Sequence, residues 1–162
     1  MKKYIAISSV LIAMASVGFA QASATLTISG TVAPINTITI ASQTGYNALD
    51  LVNNASAKLV GIATETSNDK LGYKVTLSSL NAGTTAQAFL KGAISGNADI
   101  MNYSISYGGT AVTLASGSAV VTSVAARTGS SGVPKNIAVT FTGAWLTADT
   151  YSDTLTLTIA GN

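Results

Sequence analysis

The sequence predicts an all-β protein whose strands pack as one sandwich. Apolar and polar residues alternate with a period of two over most of the chain, and helical periodicity is hard to find. The polar positions are mostly threonine and serine, which favour strands and turns over helices. Turn-forming residues separate the alternating segments at short intervals, as in a sandwich of short strands.

Four alternating segments predict strands with one buried face each, because successive side chains of a strand point to opposite sides. Glycines accept the positive φ of a tight turn, so Gly108-Gly109 predicts a two-residue hairpin. Residues 85–90 fit either a short helical turn or a strand. The four apolar faces are Leu71, Tyr73, Val75 and Leu77; Tyr103, Ile105 and Tyr107; Ile137, Val139 and Phe141; and Leu155, Leu157 and Ile159.

The composition argues against an enzyme or a metalloprotein. The chain has 162 residues, enough for one domain with a core, but no cysteine and no histidine. A serine–histidine triad, a thiolate nucleophile and the two commonest zinc ligands are therefore absent. The carboxylate pairs Glu65/Asp69 and Asp149/Asp153 lie in predicted turn segments, where such pairs are usually solvated. They show no EF-hand spacing and no partner base. We expect no catalytic residue, no metal site and no cofactor.

The first 22 residues have the pattern of a secretory signal peptide. Lys2 and Lys3 precede an apolar stretch over residues 5–20, and Ala20-Gln21-Ala22 matches the A-x-A cleavage pattern. We expect cleavage after Ala22, or after Ala24 one step on. Cleavage removes two of the 8 basic residues and leaves 6, which equals the 6 acidic residues. A neutral chain without a basic cluster lacks the electrostatic footprint of a nucleic-acid-binding protein.

The segment that follows, residues 25–32, alternates strictly. Its apolar face carries Leu26, Ile28, Gly30 and Val32, and its other face carries threonine and serine. Such a strand either docks in its own sheet or adds to the sheet edge of a neighbouring molecule. Gly30 suits a point where two backbones approach closely. Alternation is common to both arrangements and does not choose between them.

Three aromatic residues offer a further candidate site. Tyr103, Tyr107 and Trp145 fit a sugar-binding platform, as an adhesin would need. Aromatic residues on an alternating face are more often packed against neighbouring strands. We therefore expect the two tyrosines to belong to the core.

Three short motifs resemble those of chaperone–usher pilus subunits. Residues 25–32 match the N-terminal donor strand, of the form Thr-apolar-Thr-apolar-x-Gly-x-Val. Residues 149–152, Asp-Thr-Tyr-Ser, and the strand after them are similar to the closing strand pair of cysteine-free, alpha-type pilins. Residues 105–109 resemble a strand with a Gly-Gly turn in that class. The resemblance is firm at the two ends of the chain and diffuse between them.

The resemblance implies an incomplete immunoglobulin-like β-sandwich over residues 35–162, preceded by a donor strand at 23–34. Its last strand would come from a periplasmic chaperone and then from the next subunit, after secretion through an outer-membrane usher. The donor residues would be Leu26, Ile28, Gly30 and Val32, and Leu155, Leu157 and Ile159 would line one edge of the acceptor groove. The chain departs from disulfide-bonded pilins in lacking cysteine, and it lacks their penultimate tyrosine.

Two functional hypotheses follow. The first is a structural subunit of a bacterial surface pilus that polymerises non-covalently with copies of itself, is exported through the periplasm, and serves adhesion or biofilm formation through a host or surface receptor. The second is a secreted or cell-surface β-sandwich, an adhesin or matrix protein, that completes its own sheet and does not polymerise. An enzyme is disfavoured by the residue inventory.

Overall fold

The computed structural model describes residues 23–162, so the predicted signal peptide lies outside the described residues. Residues 33–162 form one compact unit, and residues 23–32 are described by themselves. All regular secondary structure in the described part of the chain is β-strand. The ten strands are β1 (Asn36–Ser42), β2 (Ala55–Ser67), β3 (Tyr73–Ser79), β4 (Ala88–Gly92), β5 (Ile100–Tyr107), β6 (Thr110–Val112), β7 (Ser118–Val124), β8 (Val133–Phe141), β9 (Tyr151–Ser152) and β10 (Leu155–Gly161).

The strands form two antiparallel sheets of unequal width. The larger sheet has the order β1-β2-β8-β5-β4-β9, with β6 paired to the second half of β5. The smaller sheet has only three strands, in the order β10-β3-β7. The two sheets pack as a β-sandwich, which confirms the predicted all-β class.

The core lies between the sheets and is built from the predicted alternating faces. Val75 and Leu77 of the smaller sheet are fully buried, and Leu77 belongs to one cluster with apolar residues of β5 and β8. The predicted inward residues of these two strands are at most 5% exposed. They are Tyr103, Ile105, Tyr107, Ile137, Val139 and Phe141.

The predicted Gly-Gly turn is confirmed, the predicted burial of Leu71 is wrong, and the structure decides between the alternatives for residues 85–90. Gly108 and Gly109 have φ of 56° and 85° and join β5 to β6 as a two-residue hairpin. Leu71, predicted to be buried, is 65% exposed because it lies in the turn that precedes β3. Over residues 85–90 the chain is a turn that becomes strand β4 at Ala88, and it contains no helix.

A buried carboxyl group connects the two sheets. Glu65 on β2 is fully buried and accepts three hydrogen bonds from hydroxyl groups. Tyr107 of the larger sheet donates to its Oε1 at 2.7 Å, and Thr122 of the smaller sheet donates to the same atom at 2.7 Å. Tyr73 of the smaller sheet donates to Oε2 at 2.9 Å. Burial of a carboxyl group is costly unless such donors satisfy it, so this cluster holds the sheets in one relative position.

We expect Glu65→Ala to lower the free energy of unfolding by about 3 kcal/mol, because it leaves three buried hydroxyl groups unsatisfied and opens a cavity. Urea unfolding followed by circular dichroism measures the effect, with variant and parent in the same assembly state. Thr66→Ala, on the opposite face of β2, is the control and should change the free energy by less than about 1 kcal/mol. Equal midpoints for both variants would contradict a structural role for Glu65.

The same cluster predicts loss of stability in alkali. Burial, the hydrogen bond to Glu65 and the negative charge of Glu65 raise the pKa of Tyr73 to about 12, and the same causes raise the pKa of Tyr107. The unfolded chain loses these protons near the ordinary pKa of 10, so the stabilisation is complete below pH 10 and decreases as pH rises through the folded-state pKa. We expect the unfolding free energy to decrease from pH 10 to 12, and less steeply in Tyr73→Phe. Tyr46→Phe, which alters an exposed tyrosine, should match the parent at every pH.

Candidate strand-binding groove

Two strand edges on one side of the sandwich carry no strand partner among the described residues. Strand β1 pairs with β2 alone, and β10 pairs with β3 alone. Among the described strands the smaller sheet therefore ends at β10, and residues of β8 in the larger sheet line the space beside it. The backbone N–H and C=O groups along the outer edge of β10 are available to a further strand.

The two edges run in opposite directions and separate along their length. At one end they meet, because a Cβ added to Gly161 would lie 3.2 Å from Nδ2 of Asn36. At the other end Ile40 and Ser42 of β1 lie across an open groove from Leu155 of β10. Exposure along the inner face of β1 increases in the same direction, from a half-buried Ile38 to Ile40 at 50%.

The groove reaches the hydrophobic core. Its volume is about 450 Å³, and Ile137, Val139 and Phe141 of β8 line it. Leu155 and Leu157 of β10 pack against the core only in part. The predicted alternation of β10 is present, but its apolar face is half-buried, because among the described residues β10 has a strand partner on one side only, β3. The groove thus offers apolar surface next to an unpaired strand edge.

A second cavity adjoins the groove at its open end. It has a volume of about 690 Å³ and lies between the loop before β2 and the loop before β9. Tyr46, Leu49, Leu90 and Asp153 line both cavities, so the two are continuous. The apolar surface accessible from the open end therefore extends beyond β10 itself.

Asp153 anchors the start of the groove edge. At this residue the chain passes from β9 in the larger sheet to β10 in the smaller one. Its carboxylate accepts hydrogen bonds from Tyr103 Oη on β5 and from Ser79 Oγ on β3, both at 2.6 Å. It also accepts backbone N–H bonds from Asn81 and Thr154. Burial and the bond to Asp153 raise the pKa of Tyr103.

The last residue of the chain anchors the other end of β10. Asn162 donates from its side chain to the carbonyl groups of Leu71 and Val124, at 3.1 and 2.9 Å. Its backbone N–H donates to the carbonyl of Gly72. Both ends of β10 are therefore fixed to the body, and its outer edge remains exposed between them.

The N-terminal segment differs from the body in secondary structure and in exposure. Residues 23–35 contain no strand. Leu26, Ile28 and Val32 are 86%, 87% and 84% exposed, and nothing lies within 4 Å of a Cβ built on Gly30. Three large apolar side chains in solvent on one short segment are unusual in a soluble domain.

The structure does not bring the other candidate site residues together into one site. Tyr103 and Tyr107 are buried in the core, whereas Trp145 is 94% exposed, so the three aromatic residues form no shared platform. Glu65 and Asp153 serve the two hydrogen-bond clusters described above. Within residues 23–162 no group of three metal-ligating side chains is found, and no helix is long and apolar enough to cross a membrane.

Comparison with known proteins returned no match, either to a protein-family model or to a curated protein.

We expect Asp153→Ala to loosen β10 by about 2 kcal/mol, because it removes the acceptor of two side-chain and two backbone hydrogen bonds. Amide hydrogen exchange measures the loss locally, as an approximately 30-fold faster exchange in β10 and the adjacent part of β3. Asp99→Ala is the matched control, since Asp99 accepts two hydrogen bonds from Thr147 in an exposed loop. Unchanged exchange in β10 of the Asp153 variant would contradict the anchoring role.

Proposed function

We propose that the protein is a structural subunit of a bacterial surface pilus, which polymerises by inserting residues 25–32 into the groove of a neighbouring copy. The observation that carries the proposal is the groove itself: one sheet is a strand too narrow, and the apolar core is accessible beside the unpaired edge of β10. The same chain carries an exposed segment with the alternation that such a groove accepts.

The dimensions of segment and groove agree. Strand β10 has seven residues and spans about 23 Å at about 3.3 Å per residue. The eight residues 25–32 span about 26 Å in the same conformation. A strand beside β10 would pair with its free backbone groups, and its alternate side chains would enter the groove.

Burial of the apolar side chains of residues 25–32 would contribute favourably to association, against the cost of ordering the segment. Full burial of a leucine, isoleucine or valine side chain contributes about 2 kcal/mol. Leu26, Ile28 and Val32 together supply about 6 kcal/mol, and main-chain hydrogen bonds in a site that excludes water add to this. Because the bonds along a strand must open together, dissociation would be slow and kinetically controlled.

The proposal includes the cellular route implied by the resemblance to chaperone–usher pilins. A periplasmic chaperone would occupy the groove during export, and an outer-membrane usher would exchange it for the next subunit. The immunoglobulin-like topology and donor-strand exchange are part of this proposal. So is a role in adhesion or biofilm formation through a surface receptor. The exposed apolar core surface supports the need for a protective partner before assembly.

We expect polymers of the processed chain to survive denaturing electrophoresis without boiling and to collapse to one band after boiling. Deleting residues 24–34 should abolish this ladder while the body retains its fold in complex with a chaperone, because the ten strands lie outside the deleted segment. A protein that completes its own sandwich would instead run as a monomer under both conditions, and the deletion would unfold it.

A pair of neighbouring substitutions tests the face of the segment. Ile28→Lys places a charge in the apolar groove and should reduce the polymer fraction at least tenfold, because an unpaired charge is costly to bury. Ser29→Lys adds the same charge to the opposite face and should leave the ladder nearly unchanged. Gel densitometry of unboiled samples gives both values. Equal effects of the two substitutions would argue against insertion of residues 25–32 as a strand.

A further inference from the structure

Residues 33–35, which lead into β1, are fixed by Asn68 in the turn after β2. The Asn68 side chain accepts a hydrogen bond from the N–H of Ile35 at 2.7 Å and donates one to the carbonyl of Ala33 at 2.9 Å. Its backbone N–H donates to the carbonyl of Ile35 at 3.0 Å. Three hydrogen bonds from one residue thus hold a stretch that has no regular secondary structure.

These bonds prolong the β1–β2 ladder beyond its last pair. Asn36 pairs with Ser67, so Ile35 stands opposite Asn68 in the same antiparallel register. Residues 33–35 therefore continue the line of β1 past the end where β1 meets Gly161. The open end of the groove, beside Ser42, lies in the opposite direction along β1.

The turn that carries Asn68 is itself held in place. Ser67 Oγ accepts the N–H of Asp69 at 3.2 Å, and Asp69 Oδ1 accepts the N–H of Leu71 at 2.9 Å. Ser67 is 1% exposed and its carbonyl accepts the N–H of Thr128. Asn68 is thus a fixed point of the body, and its side chain sets the path of the chain before β1.

The direction of this path matters because a tethered segment has a much higher effective concentration at its own groove than a separate molecule has. A short linker gives an effective concentration of the order of 1 mM, about 100-fold above subunits at about 10 µM. If residues 25–32 reached the groove of their own chain, closed monomers would prevail. A polymerising subunit therefore requires a feature that forbids this.

Self-insertion would require the chain to reverse at residues 33–35 and return beside β1 as a hairpin. The inserted strand would then run parallel to β10, because β1 and β10 run in opposite directions. Such a reversal breaks the three bonds to Asn68, since they hold residues 33–35 in line with β1.

We propose that Asn68 is a positioning residue that directs the N-terminal segment away from the groove of its own chain and toward that of a neighbour. This inference rests on the proposed function. Asn68 would then determine whether the chain closes on itself as a monomer or stays open and polymerises.

The test uses the chain from Ser23, refolded at about 10 µM and followed by amide hydrogen exchange of residues 25–32. Protection of these amides from exchange shows that the segment is hydrogen-bonded in a groove. The unboiled ladder shows whether that groove belongs to another chain. We expect the parent to be protected and polymeric, and Asn68→Ala to be protected but at least tenfold poorer in polymer.

Two further variants sharpen the result. Asn68→Asp keeps the acceptor for Ile35 and loses the donor to Ala33, so its polymer fraction should be intermediate. Asn102→Ala removes an exposed asparagine on β5 and should behave as the parent. Circular dichroism confirms that each variant retains its strands.

The outcomes separate the two proposals. A parent that is unprotected, or protected but monomeric, overturns the proposed function. A polymeric parent with an equally polymeric Asn68→Ala variant overturns the role of Asn68 alone. A folded Asn68→Ala variant that is monomeric, with the amides of residues 25–32 unprotected, also overturns it, because loss of the three-bond contact would then not permit self-insertion.

Discussion

The buried carboxyl group of Glu65 is the constraint on which the rest of the structure depends. It receives hydroxyl donors from both sheets, at 2.7 to 2.9 Å, in a chain that has no disulfide to join them. Any sliding of one sheet over the other would leave a buried polar atom unsatisfied, which costs more than an apolar contact of the same size. Glu65 therefore fixes the relative placement of the sheets, and with it the spacing between β1 and β10.

The spacing between β1 and β10 defines a groove beside the narrower sheet. The three-stranded sheet leaves part of its larger partner uncovered, and the clusters around Asp153 and Asn162 keep β10 from moving over to close the gap. A flexible edge would collapse onto the exposed core and reduce the loss of apolar burial. The polar anchors at both ends of β10 oppose this collapse, so the groove retains its shape.

The sequence predicts the fold class and most core residues, because the alternation of apolar and polar residues is visible within each segment by itself. It correctly predicts that Tyr73, Val75 and Ile137 are buried. It wrongly predicts burial of Leu71, which lies in the turn before β3. The expectation that Glu65 lies in a solvated turn segment is wrong, because the structure buries it on β2, and no local signal names its three donors. Which strands form the open edges depends on tertiary pairing, which alternation does not encode. The same holds for the hydrogen bond from Ile35 to Asn68, because these residues are 33 positions apart.

The continuation of β1 into residues 33–35 has a mechanical consequence. A force applied at Ala33 along this line acts parallel to β1, and therefore perpendicular to the hydrogen bonds of the β1–β2 ladder. Under such shear the seven residue pairs share the load, whereas a sideways force would peel them apart one by one. The β1–β2 ladder is thus oriented to resist tension applied at Ala33, without a covalent bond across the sandwich.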